Sequence, residues 1–258
     1  MSSIPAKVLD ISRYQISFDA DKAKRQGIGG VMVRAGYGLG PDSCFHDFAA
    51  AAKKAGLPVG SYLFATWHYA SVSPDFETAK ANAKQQADYF VSLLKQAPIN
   101  SFAALDLELE QGQACNLSPS QLSTCANLFL DVLKRSGHPP LLYCSIAWLY
   151  EKMDAAQLKY PFWIACYHMI DADFSSQPPE QFPATRYGEM LQQLYQNKRL
   201  AMWQFGSVGG GTAYGCGSAN VDKNWAYVPL VKYSFLQALC LLIRNLLSSV
   251  MSSSTSDV

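Results

Sequence analysis

The sequence predicts an α/β fold: an irregular TIM-like β/α barrel of about five βα units, then strands with few helices and a C-terminal helical tail. Three observations lead there. Short apolar, β-rich runs alternate with amphipathic helical patterns, as a parallel-strand fold requires. The 258 residues suit one large domain better than two small ones. Acidic residues close several of the strand-like runs, the end at which barrels of this kind carry their chemistry.

Val8 to Ile11 reads as the first strand, followed by a helix from Asp19 to Gln26 that Gly27 stops. Gly30 to Ala35 is a buried second strand, Phe45 to Ala55 a helix ended by Gly56 and Pro58, and Val59 to Ala65 the third strand. From Pro74 to Gln96, Phe76, Ala79, Ala83, Ala87, Phe90 and Leu94 recur at three- and four-residue steps, the stripe of a helix facing a core. Phe102 to Leu109 is the fourth strand. Ser118-Pro119 starts the next helix, with serine as N-cap and proline in the first turn, and Gly137 ends it. Leu141 to Cys144 is the fifth strand, and a broken helical stretch runs on to Leu158. Phe162 to Ala165, Ala201 to Phe205 and Asn220 to Asn224 complete the strands. The organisation expected is a barrel over residues 1–228 and an extension over 229–258.

Apolar residues make up 49% of the chain and charged residues 16%, enough for a core and against disorder over most of the length. A formal charge of +1 leaves no basic footprint for nucleic acid, so no such partner is expected. The 5 Trp, 14 Tyr and 13 Phe suit a sugar-stacking cleft, although most are expected in the core.

The stretch Leu105-Asp106-Leu107-Glu108-Leu109-Glu110 carries the chemistry. Acidic residues are poor strand formers, yet three alternate here with leucines. Residues two apart in a strand share a face at about 6.5–7 Å, so Asp106 and Glu108 project together from the strand's C-terminal end. Like charges that close raise one pKa, leaving one carboxyl protonated as a general acid beside a charged partner, as glycoside hydrolysis needs. The plain rival is an acidic edge strand facing water. Asp10, ending the first strand, and Asp222, in the last, favour the cluster: four carboxylates at strand ends are hard to explain as solvated surface. Glu110 is expected in solvent.

In order along the chain, Asp10-Ile11-Ser12-Arg13-Tyr14-Gln15 resembles a D-x-S-x-x-Q opening, and Val33-Arg34-Ala35 with Tyr37-Gly38 a second-strand motif. Gly60-Ser61-Tyr62-Leu63-Phe64 resembles G-x-Y-H-F, and Leu105-Asp106-Leu107-Glu108 resembles L-D-x-E. Leu142-Tyr143, Trp163-Ile164-Ala165-Cys166-Tyr167, Trp203-Gln204-Phe205 and Val221-Asp222-Lys223-Asn224 resemble I-Y, W-x-A-x-Y, W-Q-Y and V-D-x-N. Together they resemble glycoside hydrolase family 25, the Chalaropsis-type lysozymes of phage endolysins and bacterial autolysins. The resemblance implies an N-acetylmuramidase acting without a cofactor on peptidoglycan glycan strands. It makes Glu108 the general acid and Asp106 the group that orients the substrate's N-acetyl or stabilises ring charge. Asp10 and Asp222 would tune these two and hold the sugar. Arg34, Tyr62, Tyr143, Trp163, Tyr167, Trp203 and Gln204 would bind substrate along the groove. Leu63 departs from the motif's histidine and is expected to point away from the cleft.

Two rivals use the same residues: a barrel that binds peptidoglycan without turnover, and a hydrolase holding Mg²⁺ or Mn²⁺ on the carboxylates. No zinc site is expected, because His46, His68, His138 and His168 show no ligand spacing. The glycine-rich segment Gly206 to Ser218 lacks a phosphate-loop pattern and reads as a flexible flap near the cleft. Of the 7 Cys, Cys144 and Cys166 are expected as buried thiols; Cys115 and Cys125 could form a bridge, although free thiols are the expected state in a reducing cytoplasm.

Met1 to Lys7 lacks the apolar run of a secretory signal. The expected setting is synthesis in the cytoplasm and action on the wall after release, or non-classical export. In the tail, Leu236, Leu239, Cys240, Ile243, Leu246, Leu247 and Val250 share one helical face, suited to packing on the barrel, on another subunit or on a membrane surface. The uncharged stretch Tyr233 to Ile243 is short of the ~20 residues of a membrane span.

Overall fold

The computed structural model describes residues 5–231. The expected C-terminal helix and the end of the chain lie outside those residues. Among the described residues nine strands occur: β1 (Ala6–Ile11), β2 (Gly30–Tyr37), β3 (Gly40–Pro41), β4 (Val59–Phe64), β5 (Ala103–Asp106), β6 (Pro140–Ser145), β7 (Phe162–Ala165), β8 (Leu200–Gly206) and β9 (Asp222–Ala226). Six α-helices accompany them: α1 (Ala20–Arg25), α2 (Phe45–Lys54), α3 (Phe76–Leu94), α4 (Pro119–Arg135), α5 (Ile146–Glu151) and α6 (Arg186–Gln196).

The sheet runs β1-β9-β8-β7-β6-β5-β4-β2-β3, and pairing of β1 with β2 closes it. The two-residue β3 hangs on β2 as an antiparallel clip, so the ring itself has eight strands. Every pair in the ring is parallel except those of β9, which runs antiparallel to both β8 and β1. That reversal matters for the site. The start of β9 stands level with the ends of its neighbours, and Asp222 faces Asp10 in register.

Period-two alternation divides the side chains into an inner and an outer set. Ala6, Val8, Met32, Ala104, Leu141, Met202 and Ala226 fill the barrel interior, with Leu230 packed among them. Leu9, Ile11, Val33, Leu63, Leu105, Leu142, Ile164 and Trp203 point outward into the larger core beneath the helices. One step above the apolar interior residues on the same strands stand Asp10, Arg34, Asp106, Gln204 and Asn224. The barrel is therefore oily at its base and polar at its mouth.

Helix starts follow local chemistry. Ser118 caps α4 in a capping box with Gln121, and Pro119 sits in the first turn, as the sequence indicates. Asp75 caps α3, whose buried Ala79, Ala83, Ala87, Phe90 and Leu94 face the core.

Three expectations need correction, and one open alternative is settled. The fourth strand expected over Phe102 to Leu109 ends at Asp106, leaving Leu107 to Glu110 as loop. The last strand begins at Asp222 rather than Asn220. The six described cysteines are free thiols, so Cys115 and Cys125 are not bridged, and Cys144 and Cys166 are buried as expected. The segment 206–218 is pinned rather than free. Gly217 N–H donates to the Gln15 and Ser17 carbonyls at 3.0 and 2.9 Å, and Lys223 Nζ donates to Val208 O at 2.7 Å. A Cβ at Gly211 would meet Ser218 O at 2.4 Å, so the glycines there serve close backbone packing.

Candidate active site

A cavity of about 290 Å³ opens at the mouth, lined by Asp10, Ser12, Tyr14, Gln15, Arg34, Tyr62, Phe64, Asp106, Glu108, Tyr143, Trp163, Gln204 and Asp222. Strands β1, β2, β4, β5, β6, β7, β8 and β9 each bring at least one of these residues to it. All four carboxylates expected from the sequence meet here, in two pairs.

The first pair is Asp106, at the last position of β5, with Glu108 two residues on. Asp106 is the deeper, 3% exposed, and its Oδ1 is buried with no hydrogen-bond partner within the chain. Burial pushes the Asp106 carboxyl well above the usual aspartate range, and the Glu108 charge with a hydrogen bond between the two pushes it further. Glu108 is also raised, by burial first and then by the charges of Asp10 and Glu110, while its hydrogen bond from Asp106 works against the rise. Two carboxyls this close at the mouth of the barrel resist ionising together, so both hold their protons to higher pH than free carboxyls do.

The second pair is Asp10 and Asp222, opposite each other across β1 and β9. Asp222 is held well above the usual range by burial and by Asp10, with which it shares a hydrogen bond. Asp10 is raised by burial, against the pull of hydrogen bonds from Asn224 and Gln204. Asn224 Nδ2 donates to Asp10 Oδ2 at 2.7 Å, and Gln204 Nε2 donates to the same oxygen at 3.1 Å. Gln204 Oε1 accepts from the Tyr143 hydroxyl at 2.7 Å and from the Tyr167 hydroxyl. Asn224 Oδ1 accepts from Trp163 Nε1 at 2.7 Å. These amides connect the walls of the barrel through Asp10 and leave little freedom in its orientation.

Arg34 supplies a positive charge to the cavity lining. Its Nε and its terminal nitrogen Nη2 both lie 2.8 Å from Asp42 Oδ2, and its guanidinium stands 4.9 Å from the centre of the Tyr14 ring. Asp42 also accepts from the backbone N–H of Arg13 and Cys44, which ties the loop after β1 to β2. At the rim, Tyr37 stacks on Phe64 with centroids 5.0 Å apart, and Tyr14 is 64% exposed. Flat exposed rings beside buried carboxyls suit a sugar chain laid across the mouth.

Comparison with known proteins accords with this geometry. A family model described as glycosyl hydrolases family 25 matches residues 9–211. The chain belongs to that family. It is 27% identical over 173 residues to the autolytic lysozyme of Clostridium acetobutylicum, a match spanning 65% of this chain and 48% of that protein. The chain thus spans about half the length of this curated relative. The bacterial lysozyme of Streptomyces coelicolor shares the fold at a TM-score of 0.61 and 22% identity, over 88% of this chain and 94% of that one. So does the muramidase of Trichobolus zukalii, at a TM-score of 0.56 and 24% identity, over 91% and 98%.

In this family-25 chain, Asp10, Arg34, Tyr62, Asp106, Glu108, Tyr143, Trp163, Gln204 and Asp222 all line the cavity as expected. Tyr167 stands at its edge, 39% exposed, its hydroxyl on Gln204. Trp203 does not join them. It is fully buried, packs against Phe182 and Phe205, and donates Nε1–H to Cys166 O. With Gln204 facing inward, alternation turns Trp203 outward. Leu63 likewise points into the outer core, so its departure from the motif leaves the cleft untouched. Glu110 is at the surface, as expected, and accepts a hydrogen bond from Tyr37. Sequence reasoning missed Asn224, Phe64, Tyr14, Gln15 and Ser12 as site residues. Two-residue spacing from Asp222 and Tyr62 would have found the first two.

Proposed function

We propose that the chain is an N-acetylmuramidase, hydrolysing the β-1,4 bond between N-acetylmuramic acid and N-acetylglucosamine in peptidoglycan. The observation that carries this is the Asp106–Glu108 carboxyl pair at the mouth of the barrel, with Asp106 buried and Asp10 and Asp222 lining the same cavity. Family membership and the similarity to an autolytic lysozyme support it.

Glu108, the shallower of the two, meets the glycosidic oxygen. As the C1–O bond breaks, its electron pair stays with the leaving oxygen, which takes the proton from Glu108. Asp106 in its ionised form opposes the positive charge growing on C1 and the ring oxygen, directly or by orienting the substrate's N-acetyl carbonyl towards C1. Water then adds at C1 and returns a proton to Glu108. Asp10, held by Asn224 and Gln204, and Asp222 beside it bind the sugar hydroxyls next to the bond being cut. Arg34, Tyr62, Tyr143, Trp163 and Tyr167 shape the groove around it.

Turbidity loss of purified cell walls tests the roles. Glu108→Gln is expected to lower the lysis rate by about 10²–10⁴-fold, the usual contribution of a positioned acid, while still sedimenting with peptidoglycan. Near-normal lysis by the folded variant would remove Glu108 from the mechanism.

A further inference from the structure

We propose that His68 is a positioning residue for the general acid: its ring donates Nε2–H to the backbone carbonyl of Glu108 and thereby fixes where that carboxyl stands in the cleft. This deepens the muramidase reading and rests on it.

The chain leaves the barrel wall just before Glu108. The β5 ladder ends at Asp106, with one further bond from Leu107 N–H to Tyr143 O at 2.9 Å. Beyond it the loop is held to the segment that follows β4. Ala70 N–H donates to Ala114 O at 2.7 Å, and Ser71 Oγ donates to Gln113 Oε1 at 3.1 Å. At the acid itself the stitch is His68, whose Nε2 lies 2.7 Å from Glu108 O. Carbonyl and carboxyl belong to one residue, so fixing the peptide plane restricts where the side chain points.

His68 is built for a constant role. It is 0% exposed and wedged edge-on among Trp67, Tyr69 and Trp148, with ring centroids 5.4, 4.7 and 5.5 Å away. A carbonyl only accepts, so Nε2 carries the hydrogen and Nδ1 is the bare nitrogen. Nδ1 is buried with no partner within the chain, an expensive arrangement that the packing alone does not require. Burial pushes the ring's pKa down to about 4, so it stays neutral while the acid works. A phenylalanine would fill the same space without the donor.

The test compares wild type, His68→Phe and His68→Gln by turnover and by carbon-13 NMR titration of the Glu108 carboxyl. In His68→Phe, kcat is expected to fall by about 10–100-fold with KM within about twofold, as for a displaced catalytic group, and the Glu108 titration to shift. His68→Gln restores a donor at that place and is expected to return both readouts towards wild type. A folded His68→Phe with wild-type kcat and an unshifted Glu108 titration would overturn the proposal, as would a His68→Gln no better than His68→Phe. Should His68→Phe fail to fold, nitrogen-15 shifts of His68 in wild type decide: a neutral ring protonated at Nε2 at pH 6 supports the proposal, and a charged or Nδ1-protonated ring refutes it. If wild type releases no reducing ends, the muramidase reading falls, while the NMR arms still decide whether His68 governs Glu108.

Discussion

Replacing Asp106 by asparagine is expected to make the protein more stable and nearly inactive. Asp106 is 3% exposed and its Oδ1 has no partner within the chain. A buried polar group left unsatisfied costs about 1–3 kcal/mol, more when charged, and asparagine removes the charge while keeping the shape. Its folded-state pKa stands well above the ordinary 3.8 because of burial and Glu108. Below 3.8 the folded and unfolded chains both hold the proton, and the carboxyl costs the fold little. As the pH rises towards the raised folded value, the unfolded chain releases a proton that the folded one retains, so wild type loses stability. Asp106→Asn escapes that loss. At neutral pH its melting temperature should exceed that of wild type by roughly 2–12 °C, at about 2–4 °C per kcal/mol for a domain of this size. Near pH 3.5 the gain should vanish. Wall lysis should fall by about 10²-fold or more, the scale of a lost electrostatic stabiliser. Thermal melts of both proteins from pH 3.5 to 7.5 check this. A variant no more stable at pH 7, or equally favoured at both ends, would refute the strained carboxyl pair.

Three further outcomes follow from individual contacts. Asp42→Ala strands the buried Arg34 guanidinium and should cost about 3–5 kcal/mol, the usual penalty for removing one partner of a buried pair, seen as a loss in denaturant melts; a neutral result would mean that Arg34 finds another partner. His68, at about 4 in the fold against 6.5 unfolded, works in the opposite pH sense to Asp106. Between those values the unfolded chain takes up a proton that the folded chain refuses, so wild type should lose about 3 kcal/mol relative to His68→Phe as pH falls from 7 to 4, measured by paired denaturant titrations; a pH-independent difference would contradict a buried neutral ring. Trp203→Phe should lower stability and leave KM for glycan fragments unchanged, whereas Tyr14→Ala should raise KM with little effect on melting. The reverse pattern would put Trp203 back in the groove.

Much of the site was legible because it obeys a single rule, two-residue alternation along strands. That rule brings Asp10, Arg34, Asp106 and Gln204 to the mouth above Val8, Met32, Ala104 and Met202. It also turns Trp203 away, which a motif-by-motif match hid. Asp222 was placed correctly although its strand direction was not foreseen: β9 runs against its neighbours, so the residue at its start lies beside the residues at their ends. Helix α6 carries a weak sequence signal because Gly188 interrupts its first turn and its buried apolar side chains are few, Leu191 and Leu194. The glycine is there because a Cβ would meet Pro183 O at 1.7 Å, a packing requirement invisible in a local window. His68 was read only for metal spacing. Its bond to Glu108 spans forty residues and ends on a backbone carbonyl, which no side-chain pattern encodes.

The central claim is the bond that this chain cuts, and mass spectrometry of fragments released from purified peptidoglycan tests it most directly. Wild type should yield muropeptides ending in reducing N-acetylmuramic acid, and Glu108→Gln should yield almost none. Fragments ending in reducing N-acetylglucosamine, or binding with no new reducing ends, would contradict it.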